Sequence, residues 1–163
     1  MKEKILVLDF GGQYNQLIAR RVREHHVYAE IKPYNKVSVD EIKAEGYKGI
    51  IFTGGPNSVY ESTSPRCDAE ILNIGVPILG ICYGSQLMAY LAGGEVGSAE
   101  NSSEYGKTDL EVSENVLFKN IPTKSVCWMS HTDFIKNAPE GFDVIATTAK
   151  CPVASMCDSK RNL

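Results

Sequence analysis

The sequence has no C-x-x-C pair, no basic stripe and no long apolar run. Its five cysteines, Cys67, Cys82, Cys127, Cys151 and Cys157, are odd in number. That speaks against a disulfide framework, and the missing C-x-x-C speaks against a zinc site, so no metal-ligand set is read from the sequence. This cysteine usage fits a reducing, cytoplasmic setting. The densest basic cluster, Arg20, Arg21 and Arg23, is too short for a tail, and the formal net charge is −3. Nothing here supplies the phosphate contacts of a nucleic-acid binder, so nucleic acid is not an expected partner. No stretch approaches the roughly 20 apolar residues of a membrane span. The run Ile5–Leu8 behind Met-Lys-Glu-Lys is too short for a signal-peptide core, and no membrane association is expected.

What is present is a chain of 163 residues, 43% apolar, enough for one domain with a packable core. Short apolar runs alternate with helix-like segments through residue 92. Ile5–Asp9, Gly49–Thr53 and Pro77–Ile81 read as buried strands, and Tyr28–Pro33 as a strand near an edge. Asn15–Glu24 and Tyr83–Ala92 read as helices, the second stopped by Gly93-Gly94. Asp40–Glu45 reads as a short helix capped by Asp40, and Pro65–Asn73 as another closed by Gly75. The order predicts an α/β fold, an open, mostly parallel sheet with helices on both faces. The second half differs. Asp109–Val112, Ser125–Met129, Phe142–Thr148 and Val153–Cys157 read as strands with no strong helix between them, a β-rich half with antiparallel additions. Asn101–Tyr105 reads as a mobile loop.

Four segments carry side chains or backbone suited to chemistry. The first is Gly80-Ile81-Cys82-Tyr83-Gly84, where a buried strand turns into a helix. It has the pattern of a nucleophile elbow with Cys in place of Ser. The turn is sharp, so a side chain at either glycine position would meet neighbouring backbone. The helix starting at Tyr83 aims its free N–H groups at the sulfur, and the thiolate is the reactive form of a cysteine. A structural cysteine beside two turn glycines is the alternative.

The second segment, Thr53-Gly54-Gly55-Pro56-Asn57, follows a parallel strand and belongs at the same sheet edge as Cys82. Its glycines let main-chain N–H groups approach a substrate oxygen, although an ordinary strand-to-loop turn has the same composition. The third, Asp9-Phe10-Gly11-Gly12-Gln13, lacks both the third glycine of a dinucleotide fingerprint and any Gly-Lys-Ser/Thr, and no phosphate-binding role is assigned to it. The fourth, Val126-Cys127-Trp128-Met129-Ser130-His131-Thr132-Asp133, ends a strand in polar residues, with His131 either a base or ligand or simply a hydrogen-bonded surface residue. His25-His26 closes the first helix, where histidine suits the negative helix end.

Together these segments resemble the glutamine-hydrolysing GMP synthetase family, within the class I (triad) glutamine amidotransferases. The opening Val7-Leu8-Asp9-Phe10-Gly11-Gly12-Gln13-Tyr14 and Gln16–Glu24 are similar to the family's first strand and helix. Gly49–Tyr60 is similar to its oxyanion strand, Gly80–Gln86 to its elbow and Trp128-Met129-Ser130-His131 to its substrate loop. The resemblance runs over nearly the whole chain. It implies a flavodoxin-like fold and glutamine as substrate, hydrolysed to glutamate and ammonia. It implies Cys82 as nucleophile, Gly55 and Tyr83 as oxyanion-hole donors, and Gln86, Ser130 and His131 as residues that hold glutamine. No cofactor is implied for this domain. ATP and Mg²⁺ are implied for a synthetase (ATP-pyrophosphatase) domain or subunit that aminates xanthosine monophosphate to GMP.

The chain departs from the family in having Gly12 where Ser is usual and Thr132 where Gly is usual. None of its three histidines matches the family's His-Pro-Glu segment, which carries the catalytic His and Glu. Residues 1–163 therefore read as one amidotransferase domain truncated before that segment, and by itself inactive. Two other readings stay open: a non-catalytic glutamine-binding or regulatory domain of the same fold, and a class I amidotransferase of the anthranilate or carbamoyl-phosphate type.

Overall fold

The computed structural model describes residues 3–98 and 103–163. Strand β1 (Lys4–Asp9) sets the architecture. Leu6 and Leu8 point to one side and Val7 to the other, and all three are buried. A strand buried on both faces must lie inside a sheet covered on both sides. β1 pairs in parallel with β2 (Tyr28–Pro33) and β3 (Gly49–Phe52), and β3 pairs in parallel with β4 (Ile78–Gly80). The resulting order, β2-β1-β3-β4, is that of doubly wound flavodoxin-like sheets.

Helix α1 (Asn15–Glu24) covers the Val7 side, where Ala19, Ile18 and Val22 pack with Ala29 and Ile51. Helices α2 (Val39–Glu45) and α3 (Tyr83–Leu91) cover the other side. There Ile42, Leu87 and Met88 join Leu6, Leu8, Ile50 and Phe52 in the main core. The two-faced parallel sheet expected from the sequence is the one found.

Local details differ from expectation. The cap of α2 is Ser38, not Asp40. Ser38 Oγ accepts the Glu41 N–H at 3.2 Å while the Glu41 carboxylate accepts the Ser38 N–H at 2.7 Å, a complete capping box. Gly46, in the left-handed region at φ 68°, closes the helix. Ser38→Ala should lower stability by about 1 kcal/mol. Chemical denaturation checks this, and an unchanged midpoint would show that the cap is energetically idle. The expected helix at Pro65–Asn73 is only a 3-10 turn, Ala69–Asn73, started by Asp68, whose carboxylate accepts the Glu70 N–H at 2.9 Å.

The second half contains more strands than the pattern suggested. β5 (Glu95–Ser98), β6 (Glu104–Val112), β7 (Lys124–His131), β8 (Asp133–Asn137), β9 (Asp143–Thr147) and β10 (Ser155–Cys157) are all present. Four of them form an antiparallel sheet in the order β10-β9-β6-β7, and β5 pairs antiparallel with β8. The antiparallel additions are thus sheets of their own rather than extensions of the parallel one. Of the expected loop Asn101–Tyr105, Asn101 and Ser102 lie outside the described residues, while Glu104 and Tyr105 begin β6. Ala89 of α3 packs with Ile135 of β8 and Val153, which fastens the short ribbon to the back of the elbow helix.

β7 alternates without a fault: Val126, Trp128 and Ser130 are exposed, and Ser125, Cys127, Met129 and His131 are half-buried. Trp128 is 81% exposed. No helix among the described residues is long and apolar enough to cross a membrane.

Candidate active site

β4 runs into α3 through Ile81 and Cys82, and Cys82 is the hinge of the turn. Its backbone has φ 54° and ψ −115°, outside the regions a non-glycine residue prefers. Such a residue costs about 1–3 kcal/mol and persists only where its surroundings hold it. The flanking glycines show how they do so. A Cβ at Gly84 would sit 2.3 Å from the Phe52 carbonyl oxygen, and one at Gly80 would sit 2.8 Å from Ser85 backbone. The helix start is pressed against the ends of β3 and β4, with Ile81 N–H donating to the Phe52 carbonyl at 3.0 Å. The chain has no other course, and Cys82 is left exposed on the outside of the bend.

The amides of the first turn are unequally employed. Gly84 N–H donates to the Ile81 carbonyl, and Ser85 and Gln86 N–H both donate to the Cys82 carbonyl, at 3.0–3.1 Å. No acceptor among the described residues takes the Tyr83 N–H, and none takes the N–H of Gly55. The Gly54-Gly55 loop, which leaves β3, lies directly against the elbow. A Cβ at Gly54 would stand 3.6 Å from the Cys82 Cβ, and one at Gly55 would stand 3.3 Å from the Tyr83 ring.

The Asp9–Gln13 segment braces that loop from the other side. A Cβ at Gly12 would be 2.4 Å from the Gly54 carbonyl oxygen, and Phe10 N–H donates to Thr53 Oγ1 at 3.3 Å. A glycine at position 12 is what this close approach requires. The segment with the look of a phosphate loop is here a support for its neighbour.

A third segment completes the surroundings. Gln86 lies one turn along α3 and is buried, and its Nε2 donates to the Asp133 carbonyl at 3.0 Å. Tyr60 O–H, beyond the Gly54-Gly55 loop, donates to the Asp133 carboxylate at 3.0 Å. Asp133 therefore ties the elbow helix and the post-β3 loop to the β7–β8 corner. Neither Tyr60 nor Asp133 stands out in the sequence as a site residue. Asp133 is 73 residues from Tyr60 and 47 from Gln86, and such spacings carry no local signal.

At that corner Ser130 and His131 sit on opposite faces of β7, as adjacent strand residues must. The His131 ring faces inward, its Nε2 3.1 Å from a carboxylate oxygen of Glu104. The two side chains do not share one pocket. What they offer jointly is main chain.

The other cysteines are placed differently. Burial pushes the Cys67 thiol up to about 12 and raises those of Cys127 and Cys151. Cys151 is 4% exposed and Cys157 half-buried.

Over its length the chain is similar to known proteins. The family model for glutamine amidotransferase class-I matches residues 6–162. The chain is 61% identical over 161 residues to a GMP synthase [glutamine-hydrolyzing] of Clostridium botulinum (strain Alaska E43 / Type E3), covering 98% of this chain and 31% of that protein. It is 58% identical over 163 residues to the GMP synthase [glutamine-hydrolyzing] of Alkaliphilus metalliredigens, covering 99% and 32%. The chain thus spans about a third of the length of these relatives. Among solved structures, a Thermoplasma acidophilum protein provisionally named as a GMP synthase subunit superposes with a TM-score of 0.81 at 30% identity, covering 99% of this chain and 81% of that one. A Thermotoga maritima glutamine amidotransferase, at 20% identity and a TM-score of 0.75 over 98% of this chain and 73% of that one, shares the fold. By sequence and by fold, the chain belongs to the class I glutamine amidotransferase family.

Proposed function

We propose that this chain is the ammonia-generating part of a cytoplasmic GMP synthase. The observation that carries the reading is an exposed cysteine on a positive-φ elbow, with two unengaged main-chain amides beside it. The Cys82 thiolate attacks the side-chain amide carbon of glutamine. The carbonyl oxygen takes up the electron pair and is held by the N–H groups of Gly55 and Tyr83. Each such donor is typically worth about 10²–10³ in rate. The C–N bond breaks, the departing nitrogen takes a proton and leaves as ammonia, and a glutamyl thioester remains on Cys82. Water then adds to the thioester, the C–S bond breaks, glutamate is released and the Cys82 thiol regains its proton.

Gln86 and the main chain at Ser130 and His131 hold the amino-acid end of glutamine. The His and Glu that would shuttle and orient the proton correspond to the family's His-Pro-Glu segment, which is not among these 163 residues. ATP and Mg²⁺ belong likewise to the synthetase portion, which uses the ammonia to aminate xanthosine monophosphate. No cofactor is assigned to this domain.

The test uses the full-length protein supplied with glutamine, ATP, Mg²⁺ and xanthosine monophosphate. GMP should form, and Cys82→Ala should abolish glutamine-dependent synthesis while synthesis from an ammonium salt persists. A protein that leaves xanthosine monophosphate unaminated under both conditions, or whose glutamine hydrolysis answers to a different acceptor, would sink the assignment.

A further inference from the structure

Three residues remote in sequence meet inside the β-rich half. Glu104 opens β6, His131 closes β7 directly across the ladder from it, and Cys151 lies between β9 and β10. One ligand-capable atom from each lies within 4.8 Å of those of the other two. The Glu104 and His131 side chains are 5% and 13% exposed, and Cys151 is buried.

The cluster is also braced. Thr148 O–H donates to the second Glu104 carboxylate oxygen at 2.7 Å, and Thr148 Oγ1 accepts the Cys151 N–H at 2.9 Å. The second ring nitrogen of His131, Nδ1, is buried and has no hydrogen-bond partner among the described residues. A polar atom left so is costly, and it shows that the protein around the ring does not fully satisfy it.

We propose that Glu104, His131 and Cys151 form a binding site for a zinc-class transition-metal ion. A thiolate, an imidazole nitrogen and a carboxylate oxygen are the donors Zn²⁺ takes, whereas Mg²⁺ and Ca²⁺ select oxygen alone. Zinc bonds of about 2.0–2.3 Å in a tetrahedron place donor atoms roughly 3.3–3.8 Å apart, so a small closure of the side chains around the ion suffices. Cys151 releases its proton on binding, as a metal-bound thiol does. Thr148 is the positioning residue: it orients the carboxylate and the Cys151 loop at once. The ion joins β6, β7 and the β9–β10 connection just before Asp133. The His131 ring holds the metal while its main chain stays available at the corner. Spacing rules were blind to this set because its members are 27 and 20 residues apart and pair only through the sheet.

Co²⁺ is the probe, added to the full chain carrying Cys82→Ala so that the exposed elbow thiol does not contribute. A thiolate-to-cobalt charge-transfer band should appear and be displaced by Zn²⁺. Cys151→Ser should remove the band. Thr148→Val should weaken Co²⁺ binding about 10–100-fold, the usual effect of losing an outer-shell partner. No band in the folded protein, or a band that Cys151→Ser leaves intact, overturns the proposal. Should Cys151→Ser fail to fold, the imidazole proton resonances of His131 decide. Paramagnetic displacement by Co²⁺ supports the site, and unshifted resonances overturn it.

Discussion

An electrophilic glutamine analogue should label Cys82 alone, and Cys82→Ala should remove the label and lower glutamine turnover in the full-length protein by about 10⁶, the scale seen when a catalytic nucleophile is lost. The selectivity follows from placement. Five thiols of this chain compete for the reagent. Cys67, Cys127 and Cys151 are held toward the thiol form by burial, and Cys157 is half-buried in a strand. Only Cys82 is exposed, and only it stands against two main-chain donors without acceptors. Mass-spectrometric mapping of the labelled peptide is the measurement. A label on Cys67 or Cys127 would move the reaction away from the elbow and end the mechanism given above.

The second large effect concerns the glycine behind Cys82. Gly84→Ala drives a methyl group to 2.3 Å from the Phe52 carbonyl oxygen and 2.6 Å from its carbonyl carbon. Both sides of the clash are backbone, one at a helix start and the other at the end of a core strand, so no side-chain rotation relieves it. Overpacking typically costs about 1–3 kcal/mol, and this case belongs at or above the upper end. A loss of about 3 kcal/mol lowers the melting temperature of a domain this size by about 6–12 °C. Gly54→Ala is the control, because its added carbon makes only ordinary contact at 3.6 Å with Cys82. Calorimetry should separate the two variants clearly. Equal melting temperatures would mean that the helix start is not pressed on β3 as described. Activity should fall with Gly84→Ala even below the melting point, since any relief of the clash turns the sulfur away from Gly55.

The elbow and the parallel sheet were legible because their determinants are local. Ile5–Leu8 and Gly49–Phe52 are apolar runs ending in turn residues, and two glycines bracket Cys82 within five positions. The helix cap was missed by two residues because Ser38 and Asp40 both suit the role. Only the reciprocal partner Glu41, three positions after Ser38, distinguishes them. β5 and β8 escaped notice because neither has a period of its own. Glu95–Ser98 includes a glycine, Asp133–Asn137 is half polar, and each is a strand only because the other pairs with it. Long-range partnership hid the rest of the site as well. Nothing near Asp133 announces that it will receive Gln86 and Tyr60, and nothing near Glu104 announces His131.

The strict alternation of β7 leaves the chain's only tryptophan standing in water on the outer face of the four-stranded sheet. That indole is a built-in fluorophore with no second one to blur its spectrum. Its emission reads the polarity of a single patch of surface. Any molecule that settles over that strand announces itself by a blue shift, without a dye or a tag.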